Sequence, residues 1–449
     1  MSRPELEGMT PAEITARYTY GTWRRQKGWK PLHVVDAEGS FFIDETGKRY
    51  LDFSSQLMCS TLGHKNEAVI AAVAEQARKL AYVAPGFSTD ARVELTKVLL
   101  DVLPAGLEKF FFTTSGCEAN ECAFKIAHMY TGKHKIISRY CSYHGSTMGA
   151  IAATGDFRRW AMEPGGKVPG VIFAPEVNCF RCVLGHRYPG CGIACAEYIG
   201  HMIENESDVA AVLVEPVVGT NGILIPPREY MPRLRQICDA NGVLLIADEV
   251  MSGWGRTGTW FAMDHWDVVP DILTTAKGIS GAYVPLGLCA TSKKIADFFE
   301  DHFFSHGHTY EAHPITLAPA VAAINEMKRM SLVERSREMG EYMLARLSEL
   351  KEKHVSVGDV HGLGLFWSVV LVKDRKTNAP FNTYKDKLAG KPTVVERVSA
   401  EMMKNGVYLI GWVSHFVIAP PLTVSKDEID LAVKTLDAAL AIADAEVAG

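Results

Sequence analysis

"GVLLIADEV" (residues 242–250) and "DILTTAK" (271–277) decide the fold. Each is a short apolar run that ends in reactive side chains: Asp248 and Glu249 in the first, Lys277 in the second. A strand that is apolar at nearly every position is buried on both faces. That is the habit of a parallel sheet covered by helices. Similar runs recur at "KFFFTTSG" (109–116), "KIISRY" (135–140), "GVIFAP" (170–175) and "VAAVLVEPV" (209–217). Helical periodicity marks "EAVIAAVAEQARKL" (67–80), "ARVELTKVLLDVL" (91–103), "CEANECAFKIAHMY" (117–130) and "MPRLRQICDANG" (231–242). In the third of these, Ala119, Cys122, Ala123, Ile126, Ala127 and Tyr130 share one face. Strands alternating with helices predict an α/β fold with a mostly parallel sheet.

The flanks read differently. "HVVDAEGSFFIDETGKRYLDF" (33–53) has turn signals at Glu38-Gly39 and Thr46-Gly47, which predicts a small meander. After residue 314 comes a long helix-prone stretch (315–353), then the strand-like "VGDVHGLGLFWSVVLV" (357–372), then a final helix over 426–447. The expected division is a large domain over 66–318 and a smaller α+β domain over 319–449, to which residues 1–65 contribute.

Composition limits the function. The chain has 449 residues, 47% of them apolar, and a net charge of −5 with both signs interspersed. At roughly 150 residues per domain, two or three domains are expected. No basic run suggests nucleic-acid binding. No apolar run approaches the roughly 18 residues of a membrane span. The polar, acidic start "MSRPELEGMTPAEITARY" lacks the pattern of a secretory signal. The expectation is a soluble cytoplasmic protein with no membrane or nucleic-acid partner. Six of the ten cysteines sit among apolar or small neighbours, as buried free thiols do.

Ligands of open α/β sheets bind beyond the carboxyl ends of the strands. Four features gather there. Ser115-Gly116-Cys117 opens a helix, where free N–H groups can hold an anion. Tyr143, His144 and Gly145 follow "KIISRY", with an aromatic ring able to stack on a planar ligand. Glu215 and Asp248 end two apolar runs, and a buried carboxylate needs a partner such as a protonated ring nitrogen. Lys277 ends a third. An anion site, a stacking ring, a buried acid and a lysine are the parts that hold pyridoxal phosphate.

Other patterns carry weaker signals. "GWGRTG" (253–258) has the spacing of a dinucleotide fingerprint, but the aromatic "TWFAMDHW" that follows is no convincing helix. Cys179, Cys182, Cys191 and Cys195, with His186 among them, lack a standard zinc spacing, so no metal is assigned. His306, His308 and His313 suit either ligands or a loop that reaches a phosphate.

Together "TTSGCEANECAFKIA", "YHGST", "VEPV", "ADEVMSGWGRTGTWF", "TTAKGI", "HGHTYEAHP" and "APPL" resemble the class III (omega) aminotransferases of fold type I, over roughly residues 15–440. The chain is similar to the taurine– and amine–pyruvate subgroup. The resemblance implies a seven-stranded-type sheet and pyridoxal phosphate held as a Schiff base on Lys277. It implies Asp248 at the ring nitrogen, with Tyr143 and Val250 on the two ring faces. The phosphate would lie on Ser115, Gly116 and Cys117, beside His144 and Gly145. Glu215 would sit near ring and substrate. Thr309 would reach the phosphate of the neighbouring subunit in a homodimer, with a dimer of dimers also open. The implied reaction is ping-pong transfer from an ω-amino acid or amine to an oxo acid, pyruvate being preferred. An amino-phosphate lyase of the same fold is the alternative. Three departures stand out: Cys117 in place of a serine, the four-cysteine insertion, and the absence of an arginine in "YLIGWVSHFVIAPPL" (408–422). Without that arginine an apolar pocket of Leu57, Met58, Phe87 and Trp412 is expected, suited to donors that lack an α-carboxylate.

Overall fold

The continuous apolar runs form strands that are buried at almost every position, because helices cover both faces of their sheet. The computed structural model describes residues 6–165 and 168–447. The N-terminal meander is β1 (Val34–Glu38), β2 (Phe41–Asp44) and β3 (Arg49–Asp52). The central strands are β4 (Leu107–Thr113), β5 (Lys135–Arg139), β6 (Val171–Ala174), β7 (Val209–Val214), β8 (Leu244–Asp248), β9 (Ile272–Thr275) and β10 (Gly287–Ser292). They form a seven-stranded sheet in the order β4-β10-β9-β8-β7-β5-β6. Strands β5 to β9 run parallel, and β10 is antiparallel to both of its neighbours.

β10 has no counterpart among the apolar runs read from the sequence. Its "GLCATS" is short and begins on a glycine that β-propensity disfavours. Packing decides it. A side chain at Gly287 would put Cβ 2.4 Å from the Ser115 carbonyl oxygen. Only glycine lets this strand pass under the turn that opens the helix Gly116–Thr131.

The C-terminal strands are β11 (Val357–Leu363), β12 (Phe366–Leu371), β13 (Val407–Tyr408), β14 (Ile410–Trp412) and β15 (His415–Ile418). β13 pairs in parallel with β3, so the first and last parts of the chain share one sheet, β1-β2-β3-β13. A second small sheet has the order β11-β12-β15-β14. The helix-prone stretch 315–353 is two helices, Pro314–Arg329 and Leu332–Lys353. They part at Ser331, whose φ of 49° is left-handed and cannot continue a right-handed helix. Among the described residues, no helix is long and apolar enough to cross a membrane.

"GWGRTG" is a buried clamp between the large sheet and the C-terminal part. Arg256 is 1% exposed. Its Nη1 donates to the Leu365 carbonyl at 3.0 Å and the Pro420 carbonyl at 2.6 Å, and its Nη2 to Ser55 Oγ at 3.4 Å. Trp254 beside it is fully buried and donates to Thr275 Oγ1 at 2.8 Å. This arrangement leaves no room for a dinucleotide.

The two acids that follow β8 part company. Asp248 faces the cavity described below. Glu249 turns into the interior and accepts from Ser252 Oγ at 2.5 Å and from the Met263 N–H at 2.8 Å. Burial pushes its carboxyl up to about 7.

Two outcomes follow. Arg256→Met removes charged hydrogen bonds and leaves carbonyls unpaired, so stability should fall by about 2–3 kcal/mol, read from denaturant unfolding. Glu249, with its folded pKa above the unfolded one, binds more protons folded than unfolded between about pH 4.5 and 7. It therefore costs stability as pH rises through that window. Glu249→Gln should thus gain on the wild type between pH 5 and 8 by about 2 kcal/mol. A difference that does not change with pH would refute this account.

Candidate active site

The carboxyl ends of β8 and β9 open into a cavity of about 970 Å³. Register sets its chemistry: Asp248 pairs with Thr274, and Lys277 follows three residues later, beyond the strand end. Lys277 adopts a left-handed φ of 49°, rare for a side chain of this size. Such strain persists only where the surroundings enforce it, and it gathers at functional sites. The amine lines the cavity and makes no hydrogen bond to any described residue. Burial pushes its pKa down, against the pull of Cys59, Asp248 and Glu215.

Asp248 is 3% exposed, and both of its oxygens are occupied. Oδ2 accepts from Asn120 Nδ2 and from His144 Nδ1, each at 2.8 Å. Oδ1 accepts from the Val250 N–H at 3.0 Å. Asn120 is held in turn, accepting from Thr274 Oγ1 at 2.7 Å and donating to the His144 carbonyl at 2.7 Å. His144 Nδ1 must carry a proton to donate to a carboxylate, which leaves its buried Nε2 without a partner. These hydrogen bonds offset the cost of burying the carboxyl group.

Tyr143 sits above through its backbone: its N–H donates to Glu215 Oε1 at 2.9 Å. The Gly219 N–H donates to the other Glu215 oxygen at 2.7 Å. Burial raises the Glu215 carboxyl and pushes the Tyr143 hydroxyl up to about 12.

The helix Gly116–Thr131 starts at this cavity, with Ser115 as its N-cap accepting from the Glu118 N–H at 3.3 Å. Two glycines keep the entrance clear. A Cβ on Gly116 would meet Val250 Cγ2 at 2.8 Å, and one on Gly145, at φ 142°, would meet Cys117 Sγ at 2.7 Å. The Cys117 thiol accepts from the Ser146 N–H at 3.3 Å. Free N–H groups at a helix start, an unpartnered lysine and an anchored carboxylate fit a phosphorylated pyridine aldehyde.

Most of the sequence-derived residues therefore meet in one place. Leu57, Met58, Ser115, Gly116, Cys117, Tyr143, His144, Gly145, Glu215, Asp248, Val250, Lys277 and Trp412 all line the cavity. Phe87 and Thr309 do not. Phe87 follows a turn closed by its N–H on the Ala84 carbonyl at 3.1 Å and is 63% exposed. Thr309 is exposed as well, and its carbonyl accepts from Tyr82 at 3.0 Å. His306 packs tilted and His308 edge-on against Phe111, with ring centroids at 4.7 and 5.8 Å, which is an aromatic cluster. Cys179, Cys182, Cys191 and Cys195 are free thiols around a narrow cleft. Among the described residues no group of three His, Cys, Asp or Glu side chains is disposed to hold a metal.

Sequence reasoning missed Asn120 and, in the cavity lining, Arg158 and Trp23, whose ring meets that of Tyr143 edge-on at 5.9 Å. Asn120 sits on the helix face that bears the apolar stripe, and a polar residue there was the available signal. Arg158 and Trp23 are remote from the strand ends that guided the reading.

Residues 23–440 match the family model Aminotransferase class-III. The chain is 35% identical to a leucine/methionine racemase of Thermococcus litoralis, over 92% of this chain and 91% of that one. It is 32% identical to the taurine–pyruvate aminotransferase of Bilophila wadsworthia, over 95% and 97%. Among solved structures, taurine:2-oxoglutarate aminotransferase of Bifidobacterium kashiwanohense, in complex with PLP and glutamate, superposes with a TM-score of 0.92. The two are 36% identical over 97% of this chain and 98% of that one. With this cavity at the strand ends of this sheet, the chain belongs to the class-III aminotransferases, pyridoxal-phosphate-dependent enzymes of fold type I.

Proposed function

We propose that this aminotransferase moves an amino group from an ω-amino acid or amine to an oxo acid, preferably pyruvate, by a ping-pong mechanism in a cytoplasmic homodimer. The observation that carries the reading is the placement of Lys277 and Asp248 beyond two adjacent strands, facing one cavity. Bound pyridoxal phosphate supplies an electron sink for the carbon that bears the amine.

The chain's own residues do the rest. Lys277 would hold the cofactor and, with substrate bound, its Nζ would move the proton at the substrate carbon. Burial lowers the pKa of this amine, so more of it is neutral and free to accept a proton near neutral pH. Asp248, fixed by Asn120, His144 and the Val250 N–H, keeps the ring nitrogen protonated. Tyr143 and Val250 confine the ring, and Glu215 locks Tyr143 in place. Ser115, Gly116 and Cys117 take the phosphate on backbone N–H groups beside His144 and Gly145. The cysteine at 117 leaves those donors intact. Thr309 and Phe87, exposed here, join the site only where a second copy covers it, and a dimer of dimers is compatible with that. Leu57, Met58 and Trp412 form the substrate walls.

The racemase relative favours one other reading, in which the proton returns to either face of the substrate carbon and the amine stays on the substrate. A lyase would instead release ammonia without any oxo acid.

Absorbance of the holoenzyme separates these. The cofactor band should shift with an amine donor and return with pyruvate, and initial rates should give the parallel lines of ping-pong kinetics. Inversion of a chiral amino acid without an oxo acid would establish the racemase, and ammonia release the lyase. Lys277→Ala should cost about 10³-fold or more in turnover while leaving the fold intact. Asp248→Asn should cost about 10²-fold and alter the cofactor band. Full activity of either variant would overturn the proposed roles.

A further inference from the structure

The stretch before "PPL" has no arginine, yet a buried guanidinium lines the far part of the cavity. Arg158, 4% exposed in its side chain, pairs with the fully buried Asp156. Its Nε donates to Asp156 Oδ2 at 2.8 Å, and its Nη2 donates to the same carboxylate and to Thr220 Oγ1 at 3.0 Å. Nη1 has no hydrogen-bond partner among the described residues. Aromatic rings wall the guanidinium in: its carbon lies 3.7 Å from the Tyr143 ring centroid and 4.7 Å from that of Trp412.

We infer that Arg158 is the receptor for the anionic group of the substrate, a carboxylate or sulfonate, in place of the arginine missing before "PPL". This rests on the aminotransferase reading above and narrows its donors to amino acids with an acid group. Asp156 fixes the plane of the guanidinium by engaging one edge, which leaves Nη1 without a partner among the described residues of a side chain that lines the cavity. Asn221 donates to Asp156 at 2.9 Å, and Trp412 Nε1 and the Tyr384 hydroxyl both donate to Asn221 Oδ1 at 3.3 Å. His415 secures the Thr220 backbone by donating to its carbonyl at 2.9 Å. The arginine is therefore preorganised, and a charge-assisted hydrogen bond to it needs no rearrangement. The other cations at the cavity are engaged or turned outward. Lys387 pairs with Glu396, and Arg24 is exposed and lies over the Trp29 ring at 5.6 Å.

The test compares β-alanine, taurine and the length-matched propylamine, which lacks the acid group, as donors. The enzymes are wild type, Arg158→Met, and the double variant Arg158→Met/Asp156→Asn, which leaves no unpaired buried carboxylate. Calorimetric titration of each holoenzyme with propanoate and 1-propanesulfonate, which cannot react, measures the subsite alone. Both variants should lose about 10- to 100-fold more kcat/KM for the acids than for propylamine, mostly through KM. They should also lose binding of the non-reactive anions. The arm that suffers more, carboxylate or sulfonate, names the preferred acid. Equal losses for propylamine and the acids, or unchanged anion binding, would overturn the assignment. If wild type binds the anions through Arg158 but transfers no amine, the subsite stands and the proposed reaction falls.

Discussion

The site depends on one buried carboxylate. Asp248 ends a strand that is closed to water on both faces, so its charge must be met by fixed hydrogen bonds. Three donors meet it, and they come from three separate parts of the chain: the first helix after β4, the turn after β5, and the backbone past β8. Those donors are positioned by packing of the sheet and its covering helices. The carboxylate thus ties the chemistry to the integrity of the whole large domain, and any loosening of the Asn120 helix would be felt at its charge.

Close packing around the cofactor cradle has the same character. Gly116, Gly145 and Gly287 each sit where a methyl group would collide with a neighbour, at 2.8, 2.7 and 2.4 Å. The first two leave room for Val250 and Cys117 beside the start of the helix Gly116–Thr131, and the third lets the antiparallel strand pass beneath. Free backbone N–H groups at a helix start are useful only if a ligand can approach them closely, and glycine is the residue that permits this. The strained Lys277 backbone completes the picture, since the rigid surroundings that force its φ also aim its amine into the cavity.

The class-III assignment fixes the cofactor, and relatives in the same family carry the names of both aminotransferases and a racemase. In this chain the acid and the lysine sit at the strand ends, and Trp412, Arg158 and Thr220 line the walls of the same cavity. The wall of this chain is more polar than the apolar pocket expected from "YLIGWVSHFVIAPPL". Trp412 and Tyr384 use their polar atoms on Asn221, and the guanidinium that stacks on Trp412 comes from a different part of the fold.

The sequence by itself determined the parallel sheet and the reactive residues at its edge. Consecutive apolar runs can be buried on both faces only in such a sheet, and a carboxylate or lysine at the end of one is costly unless it is used. Asp248, Lys277, Glu215, Tyr143 and the Ser115-Gly116 turn were legible for that reason. Tertiary structure alone decided the rest. It turned Glu249 away from Asp248, because adjacent residues at a strand end point to opposite sides. It made a strand of "GLCATS", which local propensity disfavours, because the space between β4 and β9 had to be filled. It also carried Arg158 into the cavity. In "TGDFRRW" (154–160) nothing local sets either arginine apart, and only the fold brings Asp156, Thr220 and the rings of Tyr143 and Trp412 around one of them. A charge is buried when distant partners enclose it, and no spacing along the chain records that enclosure.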